Sequence, residues 1–283
     1  MEAKPSWAEF ERTGWEATVD PYHAFFGPIS EQVAPVMLEH AQCGPGVRVL
    51  DVCCGPGYLA GVAAAAGADA AGVDIAANMI ALAARLYPKP SFRVADAAAL
   101  PWADRSFDAV LCNFGVHHVP KPRDAMREFA RVLRPGGRAV FSLWDESRSR
   151  LGVVAEAIYG ATPTIPLEIP SPPHVAEFAS DIETKTELNA AGLDLVDLVI
   201  VEFTHRFASR DALWESWLAA AIRTRPVYEA QTLELQRRAR AAYDSAVADL
   251  AARDGSIHVP VAVRVVVASP CGSSSRTATT AGS

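Results

Sequence analysis

The chain has 283 residues, half of them apolar and 21% charged, with 26 Lys and Arg against 33 Asp and Glu. These proportions are typical of a globular protein with room for one large α/β domain. The net charge of −7 and the lack of a basic run argue against a nucleic acid partner. No apolar stretch is long enough to span a bilayer and residues 1–12 lack an export signal, which predicts a cytoplasmic protein.

From residue 47 onward, apolar runs of strand length alternate with helical patterns, which is typical of β-α-β units around a parallel sheet. Residues 1–40 precede this core and are expected to form a helical segment. Within the core, the patterns predict strands at 47–52, 70–73, 92–95, 107–113 and 137–144, and helices at 58–66, 76–86 and 123–133.

After residue 145 the pattern changes, and a proline-rich connector is predicted at 162–173. The remaining elements are a helix at 182–191, strands at 193–203 and 257–268, a helical lid insertion at about 204–256 with a break at Arg225-Pro226, and a disordered tail at 269–283. We therefore predict an α/β fold with a doubly wound, Rossmann-like, seven-stranded sheet. This sheet is mostly parallel with an antiparallel last strand, and its domain spans residues 41–268.

A glycine-rich turn, with Gly55 and Gly57, joins the first strand to the first helix. Glycine permits positive φ and close approach of a ligand, and the helix that follows offers free N–H groups. Nucleotide-like ligands bind at this edge of a doubly wound sheet. The glycine pattern alone is weak, because Gly55, Gly57 and Ala60 also satisfy the dinucleotide motif G-x-G-x-x-A.

Two acidic residues narrow the choice of ligand. Asp74 ends the second strand, where a carboxylate can accept both hydroxyls of a ribose, although it could instead only cap the next helix. Asp96 follows the third strand and is placed to accept from an adenine amino group. Dinucleotide folds rarely have an acid there, which disfavours a nicotinamide cofactor.

The segments VLDVCCGPG, GVDIAANMI, VADAAALPWADRSFDAVLCNFGVHHV and RVLRPGGR resemble the class I S-adenosylmethionine-dependent methyltransferases, in particular the ubiquinone/menaquinone-biosynthesis-like (methyltransferase type 11) group. The resemblance covers about residues 47–144. It implies S-adenosylmethionine as cofactor and S-adenosylhomocysteine as product, with no metal.

The same resemblance implies roles for individual residues. Asp51, Gly55 and Gly57 would surround the methionine moiety, with Asn113 beside it, and Asp74 would hold the ribose. Ile75 and Met79 would pack on the adenine, and Asp96 and Ala97 would contact its edge. Residues 15–22 resemble the entry segment that folds over the cofactor, which would place Tyr22 near the sulfonium. The family usually has glycine where this chain has Cys53, so we expect Cys53 to keep ordinary L-residue backbone angles.

His117 and His118 follow the fourth strand at the mouth of the expected pocket. Imidazole titrates near neutral pH and suits a general base, so either histidine is a candidate catalytic residue, with a slight preference for His117. The alternative is that one is a packing residue and the other is solvated.

Taken together, the sequence predicts a methyltransferase, monomeric or homodimeric, that acts on a small organic acceptor at an oxygen, nitrogen or carbon atom. Two alternatives stay open: a NAD(P)-dependent oxidoreductase, and a protein of the same fold that binds S-adenosylmethionine without methyl transfer. The acceptor itself cannot be deduced from these residues.

Overall fold

One seven-stranded sheet organises the fold, in the order β3-β2-β1-β4-β5-β7-β6. The structure is a computed structural model that describes residues 5–163, 165, 169–170, 178 and 180–272. The strands are β1 (Arg48–Val52), β2 (Asp69–Asp74), β3 (Ser91–Val94), β4 (Phe107–Cys112), β5 (Leu133–Trp144), β6 (Leu193–Phe207) and β7 (Ile257–Pro270). The first five strands pair in parallel, and β7 runs antiparallel to both β5 and β6. The predicted fold class is confirmed.

Helices cover both faces of this sheet. They are α1 (Trp7–Ala17), α2 (Val19–His40), α3 (Tyr58–Ala65), α4 (Ala77–Leu86), α5 (Pro122–Val132), α6 (Val153–Ala161), α7 (Asp181–Ala190), α8 (Arg210–Ala220), α9 (Thr224–Glu229) and α10 (Leu233–Ala246). Successive strand residues point to opposite faces, so Val49 joins one buried apolar cluster and Leu50 the other. No helix among the described residues is long and apolar enough to cross a membrane.

Several element boundaries differ from the prediction. β5 begins at Leu133 rather than at residue 137, because Gly136 and Gly137 lie within the strand, next to an irregularity in its pairing with β4. Helix α6 was not predicted. The insertion contains three α-helices and a short 3-10 helix at Ala248–Leu250. Pro226 lies in the first turn of α9, where a proline is tolerated, so the chain breaks just before that helix instead.

The predicted tail was placed two residues too early. Ser269 and Pro270 continue β7 and pair with Asp194 and Leu193 of β6, which extends the sheet to residue 270. Residues 273–283 of the predicted tail lie outside the described residues, as do residues 1–4 and most of the proline-rich connector.

A buried arginine fastens α7 to the sheet. Arg264 of β7 is only 7% exposed, and its guanidinium donates to the carbonyl of Phe178 at 2.8 Å, to Asp181 Oδ1 at 2.8 Å and to Thr184 Oγ1 at 3.2 Å. We expect Arg264→Met to lower the free energy of unfolding by about 2–3 kcal/mol, because two buried acceptors lose their donor. Urea denaturation measures this change. Asp181→Asn is the control and should cost less than about 1 kcal/mol, because Asp181 is exposed; equal losses in both variants would contradict the expectation.

Candidate functional site

The turn after β1 has an unusual backbone. Cys53, Gly55 and Gly57 have positive φ angles of 55°, 51° and 84°. The expectation that Cys53 keeps ordinary L-residue angles is therefore wrong. Its left-handed conformation brings its side chain against Gly115, where an added Cβ would lie 2.4 Å from the Cβ of Cys53. A non-glycine residue pays a steric cost in this region, so the turn stores local strain beside the site.

Two buried carboxylates flank this turn. Asp51, in β1, is 1% exposed, and its Oδ2 accepts from the backbone N–H of Ala60 at 3.0 Å. Asp74 ends β2, and its two oxygens accept from the backbone N–H groups of Gly55 and Ala76, each at 2.9 Å. The bond from Ala76 places Asp74 at the start of α4, as expected if it caps that helix. The bond from Gly55 also ties the glycine turn to β2.

Burial controls the ionisation of both acids. Removal from water raises the pKa of Asp51 to about 8, against the opposing effect of the Ala60 bond, and the charge of Asp74 adds to the rise. Burial also raises the pKa of Asp74, although the N–H groups of Ala76, Gly55 and Ile75 oppose the rise. Asp51, with a single backbone donor, is thus the carboxylate with more to gain from a cationic ligand.

A narrow cleft lies beside Asp51. Its lining comes from α2, β1, the glycine turn, α3 and the end of β4, and includes three of the predicted site residues, Tyr22, Asp51 and Asn113. The other lining residues are Ser30, Cys53, Cys54, Pro56, Tyr58 and Leu59. No described residue of the insertion lines this cleft, so the role of the insertion as a lid stays a prediction.

The predicted adenine-binding residues gather at the ends of β2 and β3. Met79 and Ala97 are buried, Ile75 is half-buried, and Asp96 is exposed with its Oδ1 accepting from the N–H of Ala98 at 2.8 Å. The N–H of Ala95 donates to the carbonyl of Asp74 at 3.0 Å, which holds the two strand ends together.

Tyr22 covers the glycine turn from α2. A Cβ added at Gly55 would lie 3.8 Å from Tyr22 Cε1, and the Tyr22 ring contacts Trp15 edge-on and Phe26 at centroid distances of 5.3 and 5.1 Å. Burial, with the nearby charge of Asp74, raises the pKa of Tyr22 far above its ordinary value, so the phenol keeps its proton.

The two histidines have different surroundings. His117 is half-buried, and burial together with the neighbouring His118 holds the pKa of His117 well below its usual range. His118 Nδ1 lies 3.0 Å from Glu11 Oε2 of α1. The slight sequence preference for His117 therefore has no support in the contacts, since His118 is the one with an anionic partner.

Two residues that touch the site were missed by the sequence analysis. Ser142 of β5 donates to Asn113 Oδ1 at 2.5 Å and accepts from the N–H of Phe114 at 2.8 Å, so it fixes the end of β4. A lone serine in a buried strand gives little signal. Glu11 did leave a signal, because it stands between Trp7 and Trp15 at helical spacing of four, a charged residue on an otherwise aromatic helix face.

The sheet order and the glycine turn define a Rossmann-like fold that solved structures share. The [4+2]-cyclase SpnF is similar with a TM-score of 0.57 at 19% identity, over 95% of this chain and 98% of that one. A phosphoethanolamine N-methyltransferase 2 from Haemonchus contortus, in complex with phosphomonomethylethanolamine and S-adenosylhomocysteine, has a TM-score of 0.54 at 17% identity, over 94% of this chain and 60% of that one.

Residues 50–141 match the family described as a methyltransferase domain. A demethylmenaquinone methyltransferase from Renibacterium salmoninarum is 44% identical over 96 residues, which are 34% of this chain and 40% of that protein. The predicted resemblance to S-adenosylmethionine-dependent methyltransferases is confirmed for this segment. The chain spans less than half of the length of that relative.

Proposed function

We propose that the protein is an S-adenosylmethionine-dependent methyltransferase that acts on a small organic acceptor and releases S-adenosylhomocysteine. The observation that carries the proposal is the pair of buried carboxylates, Asp51 and Asp74, on either side of the glycine turn. Buried carboxylates are costly unless a cation or hydrogen-bond donors meet them. A nucleoside that bears an amino acid supplies both, with an ammonium for one acid and ribose hydroxyls for the other.

The residues around the turn suit this cofactor. Asp51 would hold the ammonium group, and Asp74 would accept from the ribose hydroxyls, because each of its oxygens keeps acceptor capacity beyond one backbone bond. Apolar contact with the adenine would come from Ile75, Met79 and Ala97, and Asp96 would accept from its amino group. Gly55 and Gly57 would leave the backbone open to the methionine moiety, with Asn113 beside it.

The bound cofactor would supply a methyl group activated by a positively charged sulfur. The chain's own contribution is to bind, to orient and to exclude water, because in-line transfer gains most from holding the nucleophile close and aligned. Tyr22, which keeps its proton, would face the cationic end of the ligand with a neutral ring. Where the acceptor must lose a proton, His117 or His118 would take it.

The acceptor we expect is a small molecule with a planar ring. Phe114 and Trp144 stack at the ends of β4 and β5, with ring centroids 3.8 Å apart and planes within 9°, and Phe26 lies between them and Tyr22. Because Phe114 is only 5% exposed, the half-buried Trp144 is the ring that would take a ring of the acceptor by stacking. Demethylmenaquinone is the acceptor that the name of the Renibacterium relative gives, so quinols are the first compounds to test. Monomeric or homodimeric state and a cytoplasmic location stay predictions.

Mass spectrometry of ligands extracted from the purified protein, followed by calorimetry, tests the proposal. We expect S-adenosylmethionine to bind and NAD not to bind measurably. Release of S-adenosylhomocysteine is then assayed against quinols, phenols and amines. Micromolar NAD binding would favour the oxidoreductase alternative, and cofactor binding without any methylated product would favour the non-catalytic alternative.

Asp74→Ala should lower the affinity for S-adenosylmethionine by about 10- to 100-fold, because each charge-assisted bond to a buried hydroxyl is worth roughly 1.5–3 kcal/mol. The variant also loses the tie between Gly55 and β2. Methylthioadenosine shares only the nucleoside with S-adenosylmethionine. The affinity of the variant for it should fall by the same factor, as measured by calorimetry. Unchanged affinity for both ligands would remove Asp74 from the site.

A further inference from the structure

Three residues on one face of α1 contact His118. Trp7, Glu11 and Trp15 stand four residues apart, so they lie on one face of the helix. Trp7 Nε1 donates to the carbonyl of His118 at 2.8 Å, and the Trp15 ring meets the His118 imidazole edge-on at 5.1 Å. The middle residue of the three, Glu11, contacts the imidazole itself.

Glu11 is a carboxylate in an enclosed setting. It is 5% exposed, and its Oε2 accepts from Trp15 Nε1 at 2.7 Å as well as lying 3.0 Å from His118 Nδ1. An ionised carboxylate can only accept hydrogen bonds, so the hydrogen of neutral His118 is held on Nδ1. The lone pair is then on Nε2, which is the nitrogen left to act as a base.

We propose that Glu11 is a positioning residue for catalysis, which holds His118 in the tautomer whose Nε2 removes a proton from the methyl acceptor. This inference rests on the proposed function. The proton passes from the acceptor to Nε2, and the electron pair it leaves forms the bond to the methyl carbon while the former methyl–sulfur pair stays on sulfur. The imidazolium formed beside Glu11 then releases its proton to water.

The charges around His118 favour this role. Glu11 faces it from α1 and the carboxylate of Asp74 acts on it from the end of β2, so both stabilise a positive imidazolium. His117 is adjacent, with a centroid distance of 4.2 Å, and stays neutral because its pKa is lowered. The first cation of the helix that follows His118 is Arg123, in the first turn of α5, and it forms an ion pair with Glu187.

Glu11→Gln tests the proposal, because glutamine keeps the shape but removes the charge and offers an NH2 group that can donate to Nδ1 and so release the tautomer. We expect the turnover number to fall by about 10- to 100-fold, with KM and the affinity for S-adenosylmethionine changed less than about twofold. The acid limb of the turnover–pH profile should move to lower pH, because His118 loses an anionic neighbour. Glu11→Asp should recover part of the loss, and Glu9→Gln, on the exposed face of the same helix, should change nothing.

An NMR titration of the His118 imidazole, without acceptor, separates this inference from the proposed function. Its midpoint should fall in Glu11→Gln and stay unchanged in Glu9→Gln, whether or not an acceptor has been found. An unchanged midpoint would overturn the inference, as would a loss of turnover accompanied by equal loss of cofactor affinity, which indicates a folding role. A wild-type protein that binds cofactor but methylates nothing would overturn the proposed function, and the base role with it, even if the midpoint shifts.

Discussion

Replacement of His118 with asparagine should lower the turnover number by about 10²–10⁴-fold, the usual contribution of a general base. Asparagine removes the titrating nitrogen but can still donate an N–H to Glu11, so α1 should stay docked. The affinity for S-adenosylmethionine should therefore change little. Steady-state kinetics with calorimetry on the same preparation measures both quantities.

The pH dependence of this variant separates base catalysis from simple alignment. A base works only when it is unprotonated, so the wild-type rate should rise with pH, and His118→Asn should lose that rise. His117→Asn is the matched control. It should keep the rise of the rate with pH and most of the turnover number. Near-normal turnover of His118→Asn at every pH would show that the acceptor needs no base from this position.

Asp51→Asn should lower the affinity for S-adenosylmethionine while raising the stability of the ligand-free protein. The amide can still accept from the N–H of Ala60 but cannot neutralise an ammonium group, and loss of a buried charge partner costs about 2–5 kcal/mol, or roughly 30- to 5000-fold in affinity. The ligand-free variant should nevertheless melt several degrees higher at pH 8. Calorimetry and thermal unfolding measure the two effects.

The higher melting temperature expected for Asp51→Asn follows from the pKa of about 8 that burial gives Asp51 in the folded chain. Because this pKa is raised above that of the unfolded chain, the folded state holds the extra proton, and stability is lost as pH rises from about 4 to 8. Asparagine does not titrate and avoids that loss. A variant that is less stable than the wild type at pH 8 would contradict this account.

Cofactor binding should also depend on pH through Asp51. The ammonium requires the carboxylate form, so affinity for S-adenosylmethionine should rise by up to about tenfold per pH unit below pH 8, with release of one proton. Methylthioadenosine has no ammonium, and its affinity should be nearly independent of pH. Equal pH dependence for the two ligands would place the titrating group elsewhere.

The sequence sufficed to place those residues whose position depends only on local order along the chain. Gly55, Asp74 and Asp96 each follow a predicted strand, and parallel strands necessarily bring such ends to one edge of the sheet. The sequence failed where a contact joins distant segments. Nothing local to Glu11 or to His118 indicates that the two meet, because their pairing depends on how α1 packs against the loop that follows β4.

Backbone angles were the other source of error. Cys53 was expected to avoid the left-handed region because its side chain disfavours it. The neighbouring Gly115 leaves space for the Cβ of Cys53, although the local steric cost of the left-handed angles remains. A rule about one residue type thus failed because tertiary packing with another loop holds the residue in a conformation that the isolated chain disfavours.

The end of β6 and the start of β7 make the helical insertion a replaceable module. Phe207 and Ile257 are register partners in an antiparallel pair, so the two ends of the insertion are held roughly 5 Å apart by the sheet, independently of what lies between them. Exchange of residues 208–256 for a different sequence should leave the sheet pairing intact only if the replacement also covers the apolar surfaces of α2 and α6, because Trp217 of α8 packs against Phe25 and α10 packs along α6. Evolution can therefore change this flank of the molecule by recombination while the carboxylate edge of the sheet stays the same, and a laboratory library can follow that route.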